Sequence, residues 1–270
     1  MSEDLFVIPD NDFSEIQERL ATLETEHGAR ILFAIERGSR AWGFPSPDSD
    51  YDVRFVFVRK PDAYIALTQP RDVIESPIEG LFDINGWDLR KALNLMLKAN
   101  PVLIEWLRSP IVYRANAGFI DDLENILTKI DERPAAQHHY YGLLKSQWRK
   151  HIESSDKAEI KLKKYFYGLR PAFALKFMWE NPSSPLPMRF DKLMRGVDTP
   201  RSLSNLITDL LAKKRVTKEL GFGPRIPTVD AFLEETLREA EERQLGKQLR
   251  NTDEVIDACE TFFQSQVGLT

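Results

Sequence analysis

Residues 31–58 have the sequence ILFAIERGSRAWGFPSPDSDYDVRFVFV, which contains two apolar runs joined by a loop. Residues 31–35 are wholly apolar, which is typical of a strand that is buried on both faces. Residues 51–58 are rich in β-branched and aromatic residues, which favour strands. Glycine and proline interrupt residues 40–49, so neither strand can continue through that segment. The stretch therefore predicts two strands separated by a loop.

Two carboxylates stand at the start of the second predicted strand. Side chains alternate across a strand, so Asp50 and Asp52 project from one face and Tyr51 projects from the other. The first strand ends in a turn at Gly38 and Ser39, where backbone N–H groups can approach a phosphate closely and the serine adds a hydroxyl donor. Paired carboxylates beside such a turn predict a divalent-metal site next to a phosphate-binding loop.

A third acid interrupts the next apolar run, residues 80–87. This acid, Asp83, can join Asp50 and Asp52 at one end of a sheet, whereas Asp88 is better interpreted as the N-cap of a following helix. Three anionic oxygen ligands suit Mg²⁺, with Mn²⁺ as the alternative. Two such ions about 4 Å apart can activate an attacking hydroxyl and stabilise a leaving pyrophosphate. The chemistry that fits is nucleotidyl transfer.

The chain around these strands is mostly helical in pattern. Apolar spacing predicts a helix over residues 12–27, with Asp12 and Glu15 as a capping box and Gly28 as its end. Helical periodicity dominates after residue 115. We therefore expect an α+β fold: a catalytic domain at residues 1–114, with a small mixed sheet and flanking helices, followed by an all-helical domain at residues 115–270.

The composition restricts the class of protein. The chain has 270 residues, a net charge of −5, 42% hydrophobic residues and 29% charged residues, which is ordinary for a soluble globular protein. A run of about 18 apolar residues is missing, and the acidic N-terminus does not resemble a secretion signal, so we expect no membrane span and a cytoplasmic location. Cys259 is the sole cysteine, which excludes an intramolecular disulfide and a thiolate zinc cluster. The oligomeric state is left open.

The segment GSRAWGFPSPDSDYDVRF resembles the pattern of the DNA polymerase β nucleotidyltransferase superfamily: Gly-Ser, a loop, then Asp-x-Asp in a strand. The run around Asp83 resembles the later strand that supplies that superfamily's third carboxylate. AWGF before DSDYDVRF, with INGWDLRKAL, EWL and KKYFYGLRPAFALKFMW downstream, resembles the YcgL/RlaP-like family of predicted nucleotidyltransferases, named for association with RNA ligases. The resemblance covers most of the chain. It implies Mg²⁺ at Asp50 and Asp52, with Asp83 completing the triad.

A basic and aromatic segment in the helical half is a second candidate site. Helical spacing places Lys163, Tyr167 and Arg170 on one face, with Lys164 at its edge. Such a face can hold a triphosphate by charge and a base by stacking. The alternative is that the aromatic residues belong to the core and the cations form a solvated rim.

We expect an Mg²⁺-dependent nucleotidyltransferase that moves an NMP group from an NTP, such as ATP, to an acceptor hydroxyl. The family's association with RNA ligases implies an RNA end as the acceptor, in RNA repair or processing. Transfer to a protein or small molecule is an alternative that the acidic balance favours, since RNA binding gains from phosphate neutralisation. A non-catalytic nucleotide-binding module is a third. Arg40 and Arg54 are candidates for phosphate contact, with ion pairs as the alternative, and Trp42 is a candidate for base stacking.

Overall fold

The computed structural model describes residues 6–153, 159–218, 221–243, 245–247 and 250–268. These residues form two compact units. The sheet unit contains the described residues of 2–41, 50–132 and 249–270, and the helical unit contains those of 42–49 and 133–248. None of the described helices is long and apolar enough to cross a membrane.

The sheet unit is built on a five-stranded mixed sheet with the strand order β3-β4-β2-β1-β5. The strands are β1 (Ala29–Arg37), β2 (Tyr51–Arg59), β3 (Val73–Glu75), β4 (Phe82–Asp88) and β5 (Val112–Ala115). The pairing of β2 with β4 is parallel, and the other three pairings are antiparallel. The two predicted strands around the loop are therefore central neighbours in one sheet.

Some of the helices flank this sheet, and the others build the helical unit. The helices are α1 (Asp10–His27), α2 (Gly38–Trp42), α3 (Pro61–Ile65), α4 (Leu89–Leu97), α5 (Pro101–Leu107), α6 (Phe119–Leu127), α7 (Arg133–Gln147), α8 (Lys163–Glu180), α9 (Phe190–Arg195), α10 (Arg201–Val216), α11 (Pro227–Glu242) and α12 (Asp253–Val267). A π-helical segment, Trp148–Glu153, continues α7.

Helices cover both faces of the sheet. On one face Leu20 of α1 packs in a core with Val53, Phe55 and Phe57 of β2. On strands β1, β2 and β4, further contacts come from α4, α5, α6 and α12. Burial from two sides explains why β1 and β2 are so apolar, as fully covered strands are.

The helical unit packs around α8, which contacts α7, α9 and α11. Tyr165, Leu169 and Phe173 of α8 are fully buried in its core. A two-stranded antiparallel sheet, β6 (Glu159–Lys161) with β7 (Phe222–Pro224), lies beside it. Like β3 and β5, these strands are three or four residues long, too short for the alternation that identifies a strand from sequence.

The predicted α+β fold, with a small mixed sheet, flanking helices and helices toward the C-terminus, is confirmed. The two units do not coincide with the predicted domains 1–114 and 115–270. Helix α6 contacts α5 and β1, and α12 contacts α4, α6 and β2, so both belong with the sheet. Helical periodicity shows that a helix has an apolar face, but not which core that face joins.

The start of α1 also differs from the prediction. The helix begins at Asp10 with Pro9 as the N-cap residue, and no side chain caps it. Asp12, predicted to belong to a capping box, instead accepts a hydrogen bond of 2.5 Å from the Tyr51 hydroxyl. The predicted end is confirmed, because Gly28 adopts a left-handed conformation there.

Candidate functional site

Asp52 and Asp83 face each other on neighbouring strands. The parallel register of β2 and β4 pairs Asp52 with Asp83, and both residues are half-buried. Tyr51 projects to the opposite face, where it is buried in the core with α1. Asp50 lies just before β2 and is exposed. The strands thus bring the three predicted carboxylates to one end of the sheet.

The electrostatic environment of Asp52 shows that these carboxylates interact. Burial is the largest cause that raises the pKa of Asp52 above its ordinary value, and the charges of Asp83 and Asp50 raise it further. The cations Arg54 and Arg37 act in the opposite direction. A cluster of this kind gains from an added positive charge, which would relieve the repulsion.

Arg54 supplies positive charge between the two paired carboxylates. Its Nη2 lies 2.7 Å from Asp83 Oδ2 and 3.3 Å from Asp52 Oδ1. Its Nη1 donates to the backbone oxygen of Asp83 at 2.8 Å. The other carboxylate oxygen of Asp83 accepts from Asn85 Nδ2 at 2.5 Å. Of the two interpretations of Arg54, the structure shows the ion pair within the sheet.

The three carboxylates are of the chemical type that binds a metal ion, but their side chains are not arranged as a metal site. Among the described residues, no group of three or more His, Cys, Asp or Glu side chains is arranged to hold a metal ion. Asp50, Asp52 and Asp83 nevertheless offer only anionic oxygen donors, which hard cations such as Mg²⁺ prefer. Arg54 lies between two of these carboxylates and pairs with both. The chemical type of the donors therefore fits Mg²⁺, although their arrangement does not form a metal site.

Gly38 packs directly against Asp52. Its φ of +70° lies in the left-handed region, and a Cβ placed on it would stand 2.0 Å from Asp52 Oδ2. Ser39 follows in α2 and is half-buried. Arg40 Nε donates to the backbone oxygen of Asp50 at 3.2 Å, and its guanidinium lies 3.9 Å from the Tyr51 ring centroid. The turn and the carboxylates are therefore in direct contact.

Glu36 supports Asp52 and was not recognised from the sequence. Its side chain is 0% exposed. Oε1 accepts from the Asp52 backbone N–H at 2.9 Å, and Oε2 accepts from the Tyr113 hydroxyl at 2.6 Å. Burial, the largest cause, raises the pKa of Glu36 to about 8. An acid that directly follows a buried apolar run, two residues before the glycine turn, is the sequence signal that would have indicated it.

Asp88 lies at the other end of β4 and has a structural role. Its Oδ1 accepts from the backbone N–H of Arg90 at 2.8 Å, which caps α4 as predicted. Its Oδ2 accepts from the Tyr64 hydroxyl at 2.9 Å. Of the two candidates for a third carboxylate, the structure thus places Asp83 beside Asp52.

The basic and aromatic face of α8 belongs to the helical unit, and its residues differ in their exposure to solvent. Lys163 and Lys164 are half-buried, and Tyr167 is 42% exposed with the Lys164 ammonium 5.6 Å from its ring centroid. Arg170 is only 4% exposed, and its guanidinium lies 4.5 Å from the Trp42 ring centroid. Along this one face of α8, Tyr167 is thus exposed and Arg170 is buried.

Comparison with known proteins identifies the family of this chain. A protein of Bacillus subtilis (strain 168), "Uncharacterized protein YcgL", is 41% identical over 219 residues, covering 81% of this chain and 83% of that protein. The family model RlaP, described as "RNA repair pathway DNA polymerase beta family", matches residues 14–264. The family resemblance predicted from the sequence is confirmed: the chain belongs to the RlaP family of DNA polymerase beta-like proteins of RNA repair.

Proposed function

We propose that this protein is an Mg²⁺-dependent nucleotidyltransferase that moves an NMP group from an NTP to an acceptor hydroxyl. The observation that carries the proposal is the pairing of Asp52 with Asp83 on adjacent strands, with Gly38 packed against the Asp52 carboxylate. Membership of a DNA polymerase beta family implicated in RNA repair supports a nucleotidyltransferase-like function. Beyond this class of function, the proposal specifies the metal ion, the nucleotide substrate and the acceptor.

Each group of residues has a separate task in this reaction. Asp50, Asp52 and Asp83 would hold Mg²⁺, which would neutralise phosphate charge and make the acceptor hydroxyl easier to deprotonate. The Gly38–Ser39 turn positions the triphosphate through backbone N–H groups. Asp83 assists removal of the proton from the acceptor hydroxyl. The acceptor oxygen forms a bond to the α-phosphorus of the NTP. The bond between the α-phosphorus and the oxygen that bridges it to the β-phosphorus breaks, and pyrophosphate leaves with that oxygen.

Arg54 is a further participant in the proposal. Its guanidinium already lies within hydrogen-bonding distance of Asp52 and Asp83, so it stands where an incoming triphosphate meets the carboxylates. Arginine binds phosphate oxygens in pairs, which suits a group that can exchange a carboxylate for a phosphate partner. Arg40, stacked on Tyr51 next to Asp50, is the second such cation.

An RNA end is the proposed acceptor, and ATP is the proposed nucleotide. The support is the family's description as part of an RNA repair pathway. The test also includes protein and small-molecule acceptors. The chain has a net charge of −5, whereas proteins that bind RNA gain affinity from positive charge that neutralises phosphates.

The direct test replaces Asp50 and Asp52 with Asn together and follows the label from α-labelled NTPs into RNA, protein and small-molecule acceptors. We expect transfer to fall by at least about a hundredfold, as removal of comparable electrostatic groups does in other enzymes. A matched control, Asp121→Asn with Asp122→Asn, removes the same charge from exposed positions on α6 and should keep its activity. Transfer at the parental rate in the Asp50 and Asp52 variant would contradict the mechanism.

A further inference from the structure

Residues 42–49 join the two halves of the candidate site along the chain. Gly38 and Ser39 precede this segment, and Asp50 and Asp52 follow it. Both halves belong to the sheet unit, whereas residues 42–49 belong to the helical unit. The chain thus leaves the sheet unit after the turn and returns to it at the carboxylates, so the conformation of residues 42–49 affects the position of Asp50.

Phe44 fixes this segment in the core of the helical unit. Its side chain is 2% exposed. Its ring centroid lies 5.4 Å from that of Phe166 on α8 and 5.6 Å from that of Phe190 on α9. The Trp42 ring lies 5.7 Å from it on the other side of Gly43 in the chain. Ring contacts of this kind favour one packing arrangement, so the segment is held at Phe44.

Lys214 on α10 binds the backbone at the same residue. Its ammonium donates a hydrogen bond of 2.5 Å to the Phe44 carbonyl oxygen and lies 5.2 Å from the Phe44 ring centroid. Lys214 is only 9% exposed. Lysine is rarely buried without a partner, because its charge loses hydration there. The Phe44 carbonyl is such a partner, and the contact orients the backbone of the segment as well as its side chain.

The chain between Phe44 and Asp50 is short and stiff. It contains two prolines, and each restricts φ to about −65°. The Ser49 N–H donates to the Ser46 carbonyl oxygen at 3.0 Å, and the Ser46 N–H donates to Ser49 Oγ at 2.8 Å. These two bonds close a turn directly before Asp50. A restraint at Phe44 therefore also restricts Asp50.

Asp50 depends on this segment more than Asp52 does. Asp52 lies within β2, whose pairing with β4 fixes its position, whereas Asp50 precedes the strand. On the sheet side, Arg40 Nε donates to the Asp50 backbone oxygen, but this bond is long at 3.2 Å. The segment before Asp50 is therefore a major determinant of where its carboxylate lies.

We propose that Lys214 is a positioning residue for the carboxylate site: its hydrogen bond to Phe44 holds residues 42–49 in the conformation that places Asp50 near Asp52. This role rests on the proposed nucleotidyl transfer, in which Asp50 takes part. Lys214 acts through the chain between Phe44 and Asp50.

The alternative is that Lys214 only stabilises the helical unit. It shares the last turn of α10 with Lys213 and Arg215, where cations interact favourably with the carbonyl end of a helix. Burial of the Phe44 ring also stabilises the core without any bond to its carbonyl oxygen. This alternative predicts that loss of Lys214 destabilises the whole unit, whereas the positioning role predicts a change confined to residues 44–50.

Amide hydrogen exchange on the full chain, without metal or nucleotide, separates these two explanations. In Lys214→Met we expect exchange in residues 44–50 to become at least about fivefold faster, because loss of the hydrogen bond permits local opening. Lys213→Met, an exposed neighbour in the same turn, is the matched control and should exchange as the parent does. Unchanged exchange in residues 44–50 overturns the proposal, and so does faster exchange throughout the helical unit.

Label transfer from α-labelled NTPs measures the consequence for the reaction. We expect kcat of Lys214→Met to fall by about tenfold, because small displacements caused by remote substitutions reduce rates by such factors. The KM for NTP should stay within about twofold, since Asp50 is proposed to act on the reacting groups. Ser49→Ala removes an acceptor from the same turn and leaves α10 unaltered, so it should show the same pattern even if Lys214→Met does not fold.

The two proposals fail in different ways. Absence of transfer in the parent contradicts the proposed function. A parental kcat in Lys214→Met, beside an active parent and faster exchange in residues 44–50, contradicts the role of Lys214 alone.

Discussion

Gly38 meets two requirements that no residue with a side chain can meet together. Its backbone is left-handed, a conformation that disfavours L-residues by about 1–2 kcal/mol. Its α-carbon also lies so close to Asp52 that a Cβ would stand 2.0 Å from a carboxylate oxygen. The first requirement affects stability and the second affects the position of Asp52, so the two are separable by mutation.

We predict that Gly38→Ala lowers the free energy of unfolding by about 1–2 kcal/mol and also displaces Asp52, with loss of nucleotidyl transfer. Gly80→Ala is the matched control, because Gly80 has a φ of +63° but no atom within 4 Å of its virtual Cβ. The control should lose similar stability and retain transfer. Denaturant unfolding and label transfer measure the two effects. Equal activity of both variants would show that the contact with Asp52 is unimportant.

At the scale of elements, Glu36 joins three strands. Its carboxylate, on β1, binds the start of β2 through the Asp52 N–H and β5 through the Tyr113 hydroxyl. Because burial disfavours the charged form, the folded pKa of Glu36 is raised from 4.5 to about 8. The folded state therefore holds a proton that the unfolded state releases, and the stability from protonated Glu36 is lost as the pH rises toward 8.

We predict that Glu36→Gln, which keeps the shape without the charge, removes this pH dependence. In the parent, the free energy of unfolding should fall by up to about 1.4 kcal/mol per pH unit from this group as the pH rises. Urea unfolding at about pH 5 and about pH 9 in a chelating buffer, where no metal perturbs the site, measures it. Glu26→Gln, at an exposed position on α1, should behave as the parent. Parallel profiles of the parent and Glu36→Gln would contradict the prediction.

Local patterns predicted elements better than they predicted neighbours. Alternation placed Asp52 on the face opposite Tyr51, and the glycine signal located the end of α1 at Gly28. The register that pairs Asp52 with Asp83 depends on how β2 and β4 align, which a single strand does not encode. Arg170 shows the same limit, since its spacing places it on one face with Tyr167 but does not indicate that Arg170 is buried while Tyr167 is exposed.

At the scale of the whole molecule, the chain returns to the sheet unit at its end. After the helical unit, α12 packs on α4, α6 and β2, and its Phe262 ring lies 5.5 Å from Phe119. Val255, Cys259 and Phe262 are buried, so the helix completes the sheet unit's second layer. The unit that carries the carboxylates thus depends on residues from both ends of the sequence.

We predict that Phe262→Ala lowers the free energy of unfolding by about 3 kcal/mol, the usual effect of removing a buried aromatic ring. Ile256→Ala, on the same helix but 40% exposed, should lose less than about 1 kcal/mol. Hydrogen exchange locates the effect: amide exchange should accelerate in α6 and β2, which α12 covers. Because Asp52 lies near the start of β2, transfer activity should fall at temperatures where the parent is still active. Unchanged protection of α6 and β2 in Phe262→Ala would show that α12 is dispensable for the carboxylate site.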